Sequence, residues 1–154
     1  MKITYQIYSI EDTKKLAEML APQILGKIIL LKGEIGVGKT AFSGFFINAI
    51  CNTPINVTSP TFPIVQSYKT SSGVVHHIDL YRINNETELQ NLGLDELLAD
   101  TCLIEWCEKL GNYNPKHFIK ITILTIDENA REIQIEFSKK YENLYEEIKK
   151  IHVI

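Results

Sequence analysis

Eight consecutive residues, Gly33-Glu34-Ile35-Gly36-Val37-Gly38-Lys39-Thr40, are where residue types and spacing first suggest chemistry. Gly33, Gly36 and Gly38 carry no side chain, so the backbone there can curl tightly and aim successive N–H groups at an anion. A helix beginning near Lys39 adds the positive end of its dipole. Lys39 supplies a mobile cation for β- and γ-phosphates, and the Thr40 hydroxyl is placed to coordinate magnesium. The pattern G-x-x-x-x-G-K-T is that of a P-loop, and its ligands would be ATP or ADP with Mg2+.

A P-loop needs an acid at the end of a neighbouring strand to hold the water shell of the metal. Glu105 ends the apolar run C-L-I-E, and Asp79 ends V-V-H-H-I-D. An acid closing a buried strand is costly unless it meets a cation or hydrogen bonds. Glu105 sits on the more continuously apolar strand and is the better magnesium acid, which leaves Asp79 to orient an attacking water. The catalytic set is thus Lys39, Asp79 and Glu105, with Thr40 and Glu105 on the metal. Strand alternation puts His77, Asp79 and Tyr81 on one face and turns His76 to the other, as a surface or packing residue. A zinc site at His76 and His77 lacks further ligands at workable spacing. Trp106, the sole tryptophan, follows Glu105 as either core filler or a wall of the nucleotide site.

The elements that must position these groups are legible from periodicity. Residues 2–8 read as a strand and not as a signal peptide. S-I-E-D from Ser9 is a helix-cap signature for a helix over about 11–21. Residues 27–32 form a short apolar strand entering the glycine loop, and 40–50 a helix with Phe42, Phe45, Phe46 and Ile50 at helical spacing. Strand, glycine loop, helix is the context a P-loop requires. Strands over 62–69 and 74–80 flank the turn T-S-S-G as a hairpin. A polar helical region spans 86–100, broken near Gly93, and 101–106 is a buried strand. Strands 117–126 and 131–138 form a second hairpin. A last helix, about 139–151, carries Tyr141, Leu144, Tyr145, Ile148 and Ile151 on one stripe, which either covers the chain's own sheet or docks a partner. The expectation is one α/β domain over 1–154, a three-layer P-loop NTPase-like fold with a mixed sheet of about seven strands.

Composition bounds the function. The chain of 154 residues is 45% hydrophobic and 23% charged, as in a folded globular domain. Sixteen basic residues against 19 acidic ones give a net charge of −3. A chain gripping nucleic acid through phosphates carries a basic excess, so no strong direct nucleic-acid binding is expected. No apolar run is long enough to cross a bilayer, and three cysteines without metal spacing suit reduced thiols in the cytoplasm.

Four motifs in order, G-E-I-G-V-G-K-T, T-S-P-T-F at 58–62, H-I-D-L-Y-R at 77–82 and L-I-E-W at 103–106, resemble the bacterial TsaE (YjeE) proteins over nearly the whole chain. These are small ATPases of tRNA threonylcarbamoyladenosine (t6A) biosynthesis. The resemblance implies that Gly36 through Ala41 form the ATP loop, that Thr40 and Glu105 ligate magnesium, and that Asp79 serves hydrolysis. It implies further that Thr61 lies in a switch-like loop, that Trp106 stands beside the nucleotide, and that adenine lies near Ile10 and Ala130. It also implies a TsaB–TsaD transferase as partner. Three positions depart from the family pattern. Ala41 replaces a second threonine, Ala130 replaces a glycine before Arg131, and Cys107 replaces a proline after E-W.

Three other readings meet the same residues. A small-molecule kinase brings several arginines to the transferred phosphoryl group, whereas this chain has only Arg82 and Arg131. A GTPase needs N-K-x-D, which is absent. A nucleotide-sensing adaptor that does not hydrolyse needs nearly the same residues and stays open. Arg82 is the one in-chain candidate to stabilise charge, and without it a partner would have to complete the site.

Overall fold

A computed structural model describes residues 1–51 and 53–151. Its central strand is β2 (Ile28–Lys32), in which Ile29, Leu30 and Leu31 are buried. A strand covered on both faces reads as a continuous apolar run, which is why I-I-L-L does not alternate. Two strands flank it in parallel, β5 (Thr101–Glu105) on one side and β6 (Ile119–Thr125) on the other. Beyond β5, β4 (Gly73–Asp79) continues the parallel set, and β3 (Val65–Thr70) closes that edge as the antiparallel arm of a hairpin. Beyond β6, β7 (Arg131–Phe137) and β1 (Lys2–Ile7) are antiparallel. The order β1-β7-β6-β2-β5-β4-β3 makes a mixed seven-stranded sheet, as the count of strand-like segments leads one to expect.

Helices cover both faces, giving three layers. Helices α1 (Ile10–Gln23) and α2 (Lys39–Ile50) bury Leu16, Leu20, Phe42 and Phe46 against one face. On the other face α3 (Glu86–Asn91), α4 (Leu94–Leu97) and the 3-10 segment Cys107–Tyr113 bury Leu89, Leu94 and Leu110. Each such side chain contributes about 1.5–3 kcal/mol by leaving water. The start of α1 is capped as its sequence foretells. Ser9 Oγ accepts from the Asp12 backbone N–H at 3.1 Å, and Asp12 accepts from the Tyr8 N–H at 3.0 Å.

Most boundaries shift by a few residues from the periodicity reading, and two of the shifts have a clear local description. The strand expected over 62–69 begins at Val65. Pro63 has no N–H for a ladder, and Ile64 adopts φ +65°, a conformation that β-branched residues rarely tolerate. The chain therefore turns there before it pairs, leaving Phe62 83% exposed. The last helix is shorter than 139–151: a 3-10 turn at Lys139–Tyr141 precedes α5 (Glu142–Ile148). Its stripe covers the chain's own sheet. Ile148 is fully buried, Tyr141, Leu144 and Tyr145 pack on the same cluster, and Tyr145 meets Phe137 edge-on at 5.8 Å.

Candidate functional site

In open α/β sheets, ligands sit at the carboxyl ends of parallel strands. Here those ends lie in one row, because Leu31 of β2 is in register with Glu105 of β5, and Glu105 with Asp79 of β4. Two acids distant in the chain are thereby set side by side, beneath the loop that follows β2.

That loop runs through Gly33, Gly36 and Gly38 at φ +155°, +73° and +120°, values that favour glycine. At Gly33 a second constraint applies: a methyl group there would lie 2.7 Å from the Ile123 carbonyl oxygen and from a Val37 methyl. Gly33 thus secures close contact with β6, and it lines neither of the two cavities beside the loop. Lys39 Nζ donates to the Gly33 carbonyl at 2.7 Å and to the Glu34 carbonyl at 2.8 Å.

The first cavity, of about 390 Å³, is walled by Gly36, Lys39, Thr40, Asp79, Glu105 and Trp106. Lys39 is only 5% exposed, and Nζ sits 4.2 Å from the Trp106 ring centroid. Burial pushes its pKa below the ordinary lysine range, while Glu105, Glu108 and Asp79 pull the other way. Thr40 Oγ1 donates to the Glu105 carboxylate, 3.0 and 3.2 Å from its two oxygens. A hydroxyl has one hydrogen, so this contact leaves its lone pairs free for a cation. Buried Asp79 is held by three donors: Ser59 and Thr61 hydroxyls to Oδ2 at 2.9 and 3.0 Å, and the Tyr81 N–H to Oδ1 at 2.9 Å. Oδ1 keeps acceptor capacity to spare. Two buried carboxyl groups lie within electrostatic reach of one buried ammonium, and their hard oxygens, with the threonine hydroxyl, suit Mg2+.

Trp106 is a wall of this cavity. Its φ of +58° is strained for a large side chain, and the turn it makes after β5 brings its ring beside Tyr81, with centroids 5.0 Å apart and planes tilted by 49°. His77 is fully buried, and its Nε2 lies 2.7 Å from Glu105 Oε1. His76 faces the other way, as alternation requires. It is buried rather than exposed, bonded to Ser67 at 2.7 Å and Asp100 at 3.1 Å. Arg82 places its guanidinium over the Phe62 ring at 4.7 Å and is not among the residues lining the cavity.

On the other side of the loop a second cavity, of about 460 Å³, shares Gly36, Gly38 and Ala41 with the first and adds Ile10, Val37 and Arg131. Tyr8 and Ile10 are 67% and 63% exposed at its rim. Ala130 is buried and lines the adjoining hollow beside Tyr8, with its N–H given to Asp127. Thus Lys39, Thr40, Thr61, Asp79, Glu105 and Trp106 meet in one place and Ile10 with Val37 in another. Gly33 and Ala130 stand back from both. Sequence reasoning assigned no role to Ser59, a loop serine outside any periodicity, nor to His77, although alternation had put it on the Asp79 face.

Comparison with known proteins places relatives beside this geometry. A family model described as "Threonylcarbamoyl adenosine biosynthesis protein TsaE" matches residues 7–133. A protein of Rickettsia felis named tRNA threonylcarbamoyladenosine biosynthesis protein TsaE is 40% identical over 123 residues, covering 79% of this chain and 72% of that one. A Bacillus subtilis protein of the same name is 34% identical over 142 residues, covering 90% and 88%. The crystal structure of Bacillus subtilis YdiB superposes with a TM-score of 0.77 at 27% identity, over 97% of this chain and 95% of that one.

Proposed function

The chain belongs to the TsaE family of threonylcarbamoyl adenosine biosynthesis proteins, and on that premise we propose that it binds and slowly hydrolyses ATP in support of a TsaB–TsaD transferase. The observation that carries this reading is the convergence of Lys39, Thr40, Asp79 and Glu105 on one cavity beside the glycine loop. Lys39 meets the β- and γ-phosphates, exchanging the Gly33 and Glu34 carbonyls for phosphate oxygens. Thr40 and Glu105 hold Mg2+, which when bound neutralises charge on the phosphate oxygens. Asp79, fixed by Ser59, Thr61 and Tyr81, presents Oδ1 to the attacking water. The second cavity takes the adenine, with Ile10 and Val37 against the ring.

Slow turnover follows from where the arginines lie. With Arg82 stacked on Phe62, no guanidinium among the described residues lines the phosphate-side cavity, and that charge stabiliser is worth several orders of magnitude in related chemistry. The same observation keeps the adaptor reading in view. No described helix is long and apolar enough to cross a membrane, and we place the protein in the cytoplasm with its partner.

The deciding measurement is phosphate release with and without TsaB–TsaD. Strong stimulation is expected. Binding of ADP without turnover under either condition would leave the adaptor, and transfer to an added acceptor would make it a kinase. Quenching of Trp106 fluorescence by ADP is the quick accompanying check, since this ring sits over Lys39.

A further inference from the structure

We infer that His77 is a positioning residue for Glu105, and that its Nε2–H decides how the carboxylate meets magnesium. This deepens the nucleotide reading above and rests on it. His77 lies on β4 two residues before Asp79, so strand alternation turns both toward the face on which Glu105 lies. It is fully buried, its Nε2 is 2.7 Å from Glu105 Oε1, and Glu105 itself is 2% exposed. A carboxylate can only accept, so Nε2 carries the hydrogen. Nδ1 is then a lone pair, and among the described residues it has no partner. An unsatisfied buried nitrogen is a cost that an apolar side chain at this position would not carry. The benefit that offsets it lies at the other nitrogen.

Oε1 accepts both from His77 and from the Thr40 hydroxyl, whereas Oε2 receives only the longer Thr40 contact. The histidine thus saturates one oxygen, fixes the plane of the carboxyl group, and leaves the other oxygen open to the cavity. Histidines and carboxylates that orient metal ligands commonly change metal affinity by about 10–100-fold when removed. His76, the preceding residue, is bonded to Ser67 and Asp100 and makes no such contact.

The test compares the intact protein with His77→Leu, which keeps volume but has no N–H, and with His77→Gln, whose amide nitrogen can reach the Nε2 position. ADP affinity is measured by calorimetry with magnesium and with EDTA, alongside thermal melts. The ratio of the two affinities should fall about tenfold in His77→Leu and recover to within about threefold in His77→Gln, with EDTA affinity unchanged in both. An unchanged ratio in His77→Leu, or no recovery in His77→Gln, overturns the inference even if melting temperatures drop. Should His77→Leu fail to fold, the His77→Gln ratio decides alone: a tenfold loss there sinks the proposal. If the unmodified protein binds no ADP, the nucleotide reading itself fails, which is a separate result from an unchanged ratio.

Discussion

The two cavities beside the glycine loop share three residues and little else. On one side the walls are buried and charged: Lys39, Asp79 and Glu105 are each 5% exposed or less, and every one has named hydrogen-bond partners. On the other side the rim is exposed and mixed: Tyr8 and Ile10 are more than half exposed, and Glu128, Asn129 and Arg131 line the same cavity. The contrast follows from sheet position. The first cavity lies over the carboxyl ends of the parallel strands β4 and β5, where side chains can be buried yet point at a ligand. The second lies where β1 gives way to α1 and where the β6–β7 turn reaches the surface. Buried charge fixes a few atoms in space and suits phosphate and metal, whereas an exposed rim of mixed apolar and polar groups suits a flat ring with polar edges and tolerates change.

The contrast is testable by unequal damage to the two sides. Lys39→Ala should have the largest effect, lowering ADP affinity by roughly 100-fold or more, because it removes a desolvated cation facing phosphate. Calorimetry reads this directly, and an unchanged affinity would end the P-loop assignment. Glu105→Ala comes next: the gain in ADP affinity on adding magnesium should shrink by about 10–100-fold. If the magnesium titration is unaltered, the metal role passes to Asp79.

A third effect reports the burial of β5 and of the 3-10 segment that follows it. Burial pushes the Cys102 thiol up to about 12 and Cys107 up to about 11, from an ordinary 9.0. Folded thiols therefore keep protons that unfolded ones lose above pH 9. Stability is full below pH 9 and falls as pH rises from there, by up to about 1.4 kcal/mol per unit per thiol. For Cys107 the loss is complete near pH 11, and for Cys102 near pH 12. Denaturant melts at pH 8 and 10 check this, and Cys102→Ala should flatten the slope; a slope unchanged in that variant would mean β5 is not sealed. The smallest effect belongs to the open rim. Ile10→Ser should weaken ADP binding only about three- to tenfold, from partial loss of apolar contact, and leave the magnesium gain intact. A loss rivalling that of Lys39→Ala would erase the distinction between the two sides.

Much of the first cavity was legible in the sequence. Lys39 and Thr40 belong to a local pattern whose geometry is set by neighbouring residues, so spacing alone implies the loop. Glu105 and Asp79 stood out because an acid closing an apolar strand needs a reason to be there. Ser59 and His77 did not stand out in the same way. Ser59 reaches Asp79 across a loop with no periodic signal, and His77 was one buried strand residue among several. The start of β3 was misplaced for a similar reason, since the positive φ of Ile64 is imposed by the turn and violates local preference.

What the sequence alone determined is the local grammar: the glycine loop, the strand before it, the helix after it, the Ser9 cap and the acidic balance. These depend on short-range sterics and hydrogen bonding, which residue order encodes directly. The tertiary structure decided which strands are neighbours, and therefore that Asp79 and Glu105 stand in one register and that His77 reaches Glu105 and not another acid. It also decided that Arg82 lies over Phe62. His77 and Asp79 are distant from Glu105 in the chain, and only the parallel pairing of β4 with β5 through a crossover connection sets them beside it.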